Sequence, residues 1–161
     1  MPANALASLL RPDGRQSQTA LAVARGTARL LHQFGFSCVA ELALPSGRRA
    51  DITALNSAGD IWIVEIKSSI ADFRADQKWM DYRAHCDRLF FATTVEVPCE
   101  IFPDDTGLIV ADAFGAQIVC EAPEHRLHAS TRKCMMLAFA RCAALRLQAL
   151  ADPAGPFAAE F

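Results

Sequence analysis

Asp51 stands alone in the apolar run RADITAL, and Glu65 and Lys67 close the run DIWIVEIK fourteen residues on. Residues two apart on a strand share a face, so Ile61, Ile63, Glu65 and Lys67 point one way and Trp62, Val64 and Ile66 the other. Both faces begin apolar, which marks a central strand covered on both sides, and one face turns charged at its far end. A buried carboxylate costs several kcal/mol or neutralises itself, so charge in that place needs a partner. A short turn lays the two runs side by side and lets Asp51 and Glu65 converge. Two carboxylates that close repel unless a cation lies between them. Two carboxylates, a backbone carbonyl (that of Ile66) and water suit Mg²⁺ or Mn²⁺. Lys67 beside such an ion would hold a water or balance charge on a phosphate, and hydrolysis of a phosphodiester is the chemistry this set fits. The same residues admit a plainer reading. Asp51 would end a turn, and Glu65 and Lys67 would form a solvated ion pair on a sheet edge worth about 0–1 kcal/mol.

The elements around these residues decide between the two. Apolar residues recur at helical spacing over 17–34, with Ser17 placed to cap the start and Gly35 to stop the end. Gly26, in mid-helix, marks a close packing contact. Strands are predicted over 37–44, 49–55 and 60–67, joined by PSGR and NSAG turns into a meander. A helix over 71–85 then leads to a buried strand over 87–95. The third and fourth strands are joined through that helix, so they should be parallel to each other. A hairpin over 107–112 and 116–122 and a long helix over 130–150 follow, the helix with an inward stripe of Met135, Ala138, Cys142, Leu145 and Ala149. The expected architecture is α/β, a mixed central sheet (helix, three-strand meander, helix, strand) flanked by helices. Residues 16–151 are expected to form one domain, with a flexible arm over 1–15 and a tail over 152–161.

Composition narrows the function. The formal charge is −2, so nucleic acid cannot be gripped by a wholly basic face and any contact must be local. No run resembles the roughly 18 apolar residues of a membrane span, and ANALASLL makes a poor signal peptide. The six cysteines lack CxxC or zinc-ligand spacing and are expected to be small, buried and reduced, which points to the cytoplasm.

RRADITAL…DIWIVEIKSS resembles the PD-(D/E)xK nuclease superfamily, with Asp51, Glu65 and Lys67 on its signature positions. Together, RRADI, EIKSS and ADFRADQKWMDYRAHCDRLFFA are similar to the MmcB-like family of bacterial DNA repair proteins, over roughly residues 17 to 122. The resemblance implies a restriction-endonuclease-like core and metal-dependent DNA cleavage as the ancestral activity. It also implies a site contact from Gln77, on the helix after the motif strand, although a strand carbonyl would satisfy Gln77 equally well. Phe73, Gln77 and Met80 would form the inward stripe of that helix. Ala50 stands where the motif has proline. The first-helix glutamate of some members has no counterpart, because no acidic residue lies between Gly14 and Ala40; Glu41 is the only nearby substitute, and strand register decides whether it faces Asp51.

Phosphate contacts are expected from Arg48, Arg49, Ser68, Arg74 and Lys78, with Arg83 in the same stretch of sequence. Helix capping by Ser68 and Ser69, and a solvated helix face for Arg74, Lys78 and Arg83, are the simpler alternatives. Trp79 and Tyr82 are expected to pack helix to sheet, and the four histidines show no triad-like or metal-like arrangement. Two functions therefore stand side by side: a Mg²⁺- or Mn²⁺-dependent endonuclease acting on DNA, branched or damaged, or a repair accessory module that keeps the fold and binds DNA or a repair protein with little or no cleavage. The apolar C-terminal helix offers an interface for a homodimer.

Overall fold

The computed structural model describes residues 17–76 and 78–159; the arm proposed over 1–15 and Gln77 lie outside them. Helix α1 (Gln18–Gln33) starts where the Ser17 hydroxyl accepts the Ala20 amide and ends before Gly35, whose φ of 81° few other residues tolerate. Three strands follow as a meander: β1 (Phe36–Ala43), β2 (Arg49–Asn56) and β3 (Ile61–Ile66). A crossover returns the chain to β4 (Arg88–Thr93), parallel to β3 as expected. The strands β5 (Gly107–Ala111) and β6 (Ala116–Cys120) form the expected hairpin, with β5 parallel to β4. The six strands lie in chain order in one mixed sheet, and helix α3 (Ala129–Ala151) closes the fold. In the tail, Pro156–Ala159 forms a 3₁₀ turn.

The sheet is covered on both faces. Val23, Leu30 and Leu31 of α1 pack on Ile52, Val64, Phe90 and Ile109, with Phe36, Trp62 and Phe90 stacked in a row of tilted rings. Gly26 lets α1 approach the β5–β6 turn, since a Cβ there would strike the carbonyl oxygens of Asp112 and Gly115. On the other face, Met135 and Phe139 of α3 join Ile61, Ile63, Tyr82 and Leu89. Asp87 ties this side together. Its carboxylate accepts the Ile61 amide at 2.8 Å, the Leu127 amide at 2.9 Å and both Arg132 guanidinium nitrogens at 2.7 Å.

Two expectations about helices need correction. The run 71–85 is not one helix. Helix α2 (Ile70–Ala75) stops at Asp76, whose Oδ1 accepts the Lys78 amide at 2.8 Å; Trp79–His85 then form a 3₁₀ segment. An aspartate that bonds the backbone two residues on offers the chain a turn in place of the next helical bond. The stripe Phe73–Gln77–Met80 is consequently broken. Phe73 packs edge-on against Phe91 at 5.4 Å, whereas Met80 is 63 % exposed. Trp79 and Tyr82 do pack inward, Trp79 on Phe91. The second correction concerns α3. By length and composition it is apolar enough to cross a membrane, with a mean hydropathy of 1.4 over its most apolar stretch, because residues 134–151 contain only Arg141 and Arg146 as charges. Its expected inward stripe holds for Met135, Ala138 and Cys142, joined by Phe139.

The cysteines are all free, but not all buried. Cys86 is buried and Cys38 and Cys142 are half-buried. Cys99, Cys120 and Cys134 are exposed, because they stand on a turn, an edge strand and the outer face of α3.

Candidate active site

The register of the sheet assembles the site. Ile52 pairs with Val64, so one step further along the antiparallel ladder Asp51 lies beside Glu65. Two hydrogen bonds hold them there. The Asp51 amide donates to Glu65 Oε1 at 3.1 Å, and the Ile66 amide donates to Asp51 Oδ2 at 2.8 Å. Each carboxylate thus replaces a missing rung where the two strands splay, and each keeps a second oxygen. Both line a cleft of about 440 Å³ at the ends of β2 and β3, together with Ile66 and the start of α1. Crevices at strand ends are where open α/β sheets bind ligands.

Burial dominates the electrostatics. It raises the Asp51 carboxyl to about 6, against the opposing pull of the Ile66 amide and the Lys67 charge. Glu65 is 3 % exposed, and burial together with the Asp51 charge holds it well above the usual carboxylate range. Two desolvated carboxylates that raise each other's pKa form a site short of positive charge. Their free oxygens, with the nearby Ile66 backbone, fit one hard divalent cation. Among the described residues no group of three His, Cys, Asp or Glu side chains is assembled as metal ligands. Glu41 comes nearest. The pairs Ala40–Ile52 and Leu42–Ala50 bracket it opposite Asp51, and its charge contributes to raising Asp51. Its backbone is left-handed, at φ 55°, and its carboxylate pairs with Arg49.

Lys67 lies on the cleft but does not hang free over the carboxylates. Its ammonium is 2.6 Å from Asp76 Oδ2, and the side chain is buried. Burial pulls its pKa down, yet the Asp76 bond and the charges of Glu65 and Asp51 outweigh this and leave it above the ordinary lysine value. Asp76 is lowered: its own burial works the other way, but its bonds from Lys67 and the Lys78 amide prevail. The Lys67 backbone is fixed as well, its amide donating to the Ala92 carbonyl and its carbonyl accepting the Thr93 hydroxyl. Asp76 was the residue missed in the sequence. Nothing in a continuous helix over 71–85 singles it out, and the break in that helix brings it to the lysine. Tyr82 was also passed over as packing alone. It lines the cleft, its hydroxyl donates to the Arg49 carbonyl at 3.2 Å, and burial, then the Glu65, Asp51 and Asp76 charges, raise its pKa.

The residues expected to meet phosphate separate into groups. Arg48, Ser68 and Lys78 line the cleft; Arg49 and Arg74 are exposed and not among its walls. Arg48 is bound to Asp81 at 2.9 Å. The Ser68 amide donates to Asp72 Oδ2 at 3.0 Å, while Ser69, not Ser68, caps α2 by accepting the Asp72 amide. Arg83 turns elsewhere, to the Asp105 carbonyl at 2.6 Å.

Comparison with known proteins agrees with this architecture. The solved structure of SPO1766, a protein of unknown function from Silicibacter pomeroyi, is similar with a TM-score of 0.83 and 46% sequence identity, covering 87% of this chain and 96% of that one. No curated protein matches. The family model described as DNA repair protein MmcB-like matches residues 8–154, beyond the stretch 17–122 that carries the resemblance in the motifs. With nearly the whole chain matched, the protein belongs to the MmcB-like DNA repair family.

Proposed function

We propose that the protein is a metal-dependent DNA endonuclease of the PD-(D/E)xK type, with a restriction-endonuclease-like core, acting in repair in the cytoplasm. The observation that carries this reading is the pairing of Asp51 and Glu65, two desolvated carboxylates held side by side at the end of a cleft by the Asp51 amide on Glu65 and the Ile66 amide on Asp51. Mg²⁺ or Mn²⁺ on these carboxylates and the Ile66 carbonyl would supply Lewis acidity toward a phosphodiester. The chain's own part is positioning. Glu65 and Asp51 stay in place through backbone amides, Lys67 brings a buried ammonium to the cleft, and Arg48, Lys78 and Ser68 stand where a DNA backbone would pass. Arg49 and Arg74, exposed and outside the walls of the cleft, would contact phosphates beyond it. Gln77 follows Asp76 directly and is assigned a supporting contact by resemblance.

A second reading has its own observation. Lys67 is neutralised by Asp76 at 2.6 Å, and an ammonium so engaged is a weaker aid to hydrolysis. This favours an accessory module that binds branched or damaged DNA, or a repair protein, with cleavage slight or absent. Calorimetry with Mn²⁺ and nicking assays on branched and single-stranded DNA separate the two. The endonuclease reading expects Mn²⁺ binding and nicking that both vanish in Asp51→Ala. Binding of DNA without cleavage in any metal selects the accessory module.

A further inference from the structure

Four of the nine large apolar side chains exposed among the described residues, Met136, Leu137, Leu147 and Leu150, lie on α3. Only 11% of the most apolar stretch of this helix is buried. The inner side is occupied by Met135, Phe139 and Cys142, and Arg146 reaches back to the Ala40 carbonyl of β1. The outer side has a regular order. Leu137, Ala140, Ala144 and Leu147 are spaced three, four and three residues apart, and all are exposed. That is the spacing of a coiled-coil seam, in which residues alternately three and four apart fall on one face. It is also a palindrome. A second helix laid antiparallel on the first sets Leu137 over Leu147 and Ala140 over Ala144, so each contact occurs twice about a two-fold axis. The paired alanines permit close approach at the centre, and the leucines close each end.

Charge agrees with this polarity. The antiparallel register brings the exposed Lys133 of one copy to the C-terminal end of the other helix, where the last carbonyls and Asp152 stand. A cation is favoured there by the helix dipole and the carboxylate. A parallel arrangement would instead set Lys133 against Lys133, with no acid on α3 to separate them. Beside Leu137 lies a groove of about 550 Å³ formed with Leu127, Met136 and Ala140, positioned to take the partner's Leu147.

We infer that the outer face of α3 is a homodimer interface in which two copies of this chain pack their C-terminal helices antiparallel through Leu137, Ala140, Ala144 and Leu147. None of these four residues lines the cleft, and the interface does not depend on how the cleft functions.

Sedimentation equilibrium on the full chain tests this. The expected mass is twice the 17.5 kDa of the chain. Leu147→Arg should weaken the dimer by at least about tenfold, as loss of a large apolar interface anchor does. Leu147 is 67 % exposed, so the variant should keep the wild-type circular dichroism; Leu137→Arg, at a second exposed site, serves as the independent variant. Orientation is read by crosslinking, with Cys99, Cys120 and Cys134 replaced by serine. Leu137→Cys mixed with Leu147→Cys should form a disulfide-linked pair that neither variant forms alone. A monomer at every concentration overturns the proposal, with or without co-sedimentation on phosphatidylcholine vesicles. A dimer unaffected by both arginine variants, or crosslinking of Leu137→Cys to itself, overturns it equally.

Discussion

The Lys67 ammonium and the Asp76 carboxylate meet at 2.6 Å across the mouth of the crossover, one residue at the end of β3 and the other where α2 breaks. The pair joins the motif strand to the segment that must return over the cleft. Asp76→Asn should lower the Lys67 pKa, because burial then acts with less opposition. Titration of the lysine Cε resonances by NMR should show the shift. Stability should fall by about 2 kcal/mol, since one partner of a largely buried charged hydrogen bond is lost. An unchanged Lys67 titration would mean that Asp76 does not set its charge state.

The Asp51–Glu65 pair should make the metal-free protein less stable as pH rises from about 4 to 7. Both carboxyls stand above their unfolded values, Asp51 at about 6, so the folded state holds protons that the unfolded state has released. The stabilising contribution is complete below the unfolded values and is lost as pH rises through the folded ones. Thermal denaturation should give a lower Tm at pH 7 than at pH 5 without metal. Millimolar Mn²⁺ should remove most of that difference, and Asp51→Asn should both flatten the profile and abolish the Mn²⁺ effect.

Asp87 has the opposite dependence. Burial opposes its ionisation, but the Arg132 guanidinium and the Ile61 and Leu127 amides together hold its carboxyl below the usual range. Its contribution is present above the unfolded carboxylate value and is lost as pH falls through the depressed one. Asp87→Ala should cost about 3–5 kcal/mol in urea denaturation, because it strands Arg132 and two amides at once. A loss below 1 kcal/mol would exclude Asp87 as the tie between β3, β4 and the segment before α3.

Gly26→Ala should destabilise the fold by about 2 kcal/mol, although alanine is the better helix former. The new methyl group would meet two backbone carbonyls, of Asp112 and Gly115, and neither can swing aside as a side chain would. An equal or higher Tm for the variant would show that α1 can slide away from the β5–β6 turn.

The strands and their order were legible because apolar alternation and short turns act locally. The faces of β3 follow from it residue by residue, with Ile61 and Ile63 in one core and Trp62 and Val64 in the other. The convergence of Asp51 on Glu65 was legible for the same reason, since a tight meander leaves few registers. The region 71–85 was not. Its apolar residues fit a helix, and what stops that helix is the competition of one aspartate for the amide of Lys78 and the ammonium of Lys67, the latter nine residues away. Asp87 was likewise hidden, because its partners Leu127 and Arg132 come from 40 and 45 residues further along.

The left-handed backbone at Glu41 has a reach beyond its own carboxylate. Before it, Phe36 and Cys38 belong to the core under α1; after it, Leu42 and Leu44 belong to the core under α3. Val39, between them, already faces α3, so the even-numbered positions of this edge strand switch faces at Glu41, opposite the acid that opens the cleft. Straightening β1 by design would cost more than a local kink: it would turn two leucines away from α3 and leave a void beneath that helix. Fold integrity and the architecture of the cleft are, at this one dihedral angle, the same constraint.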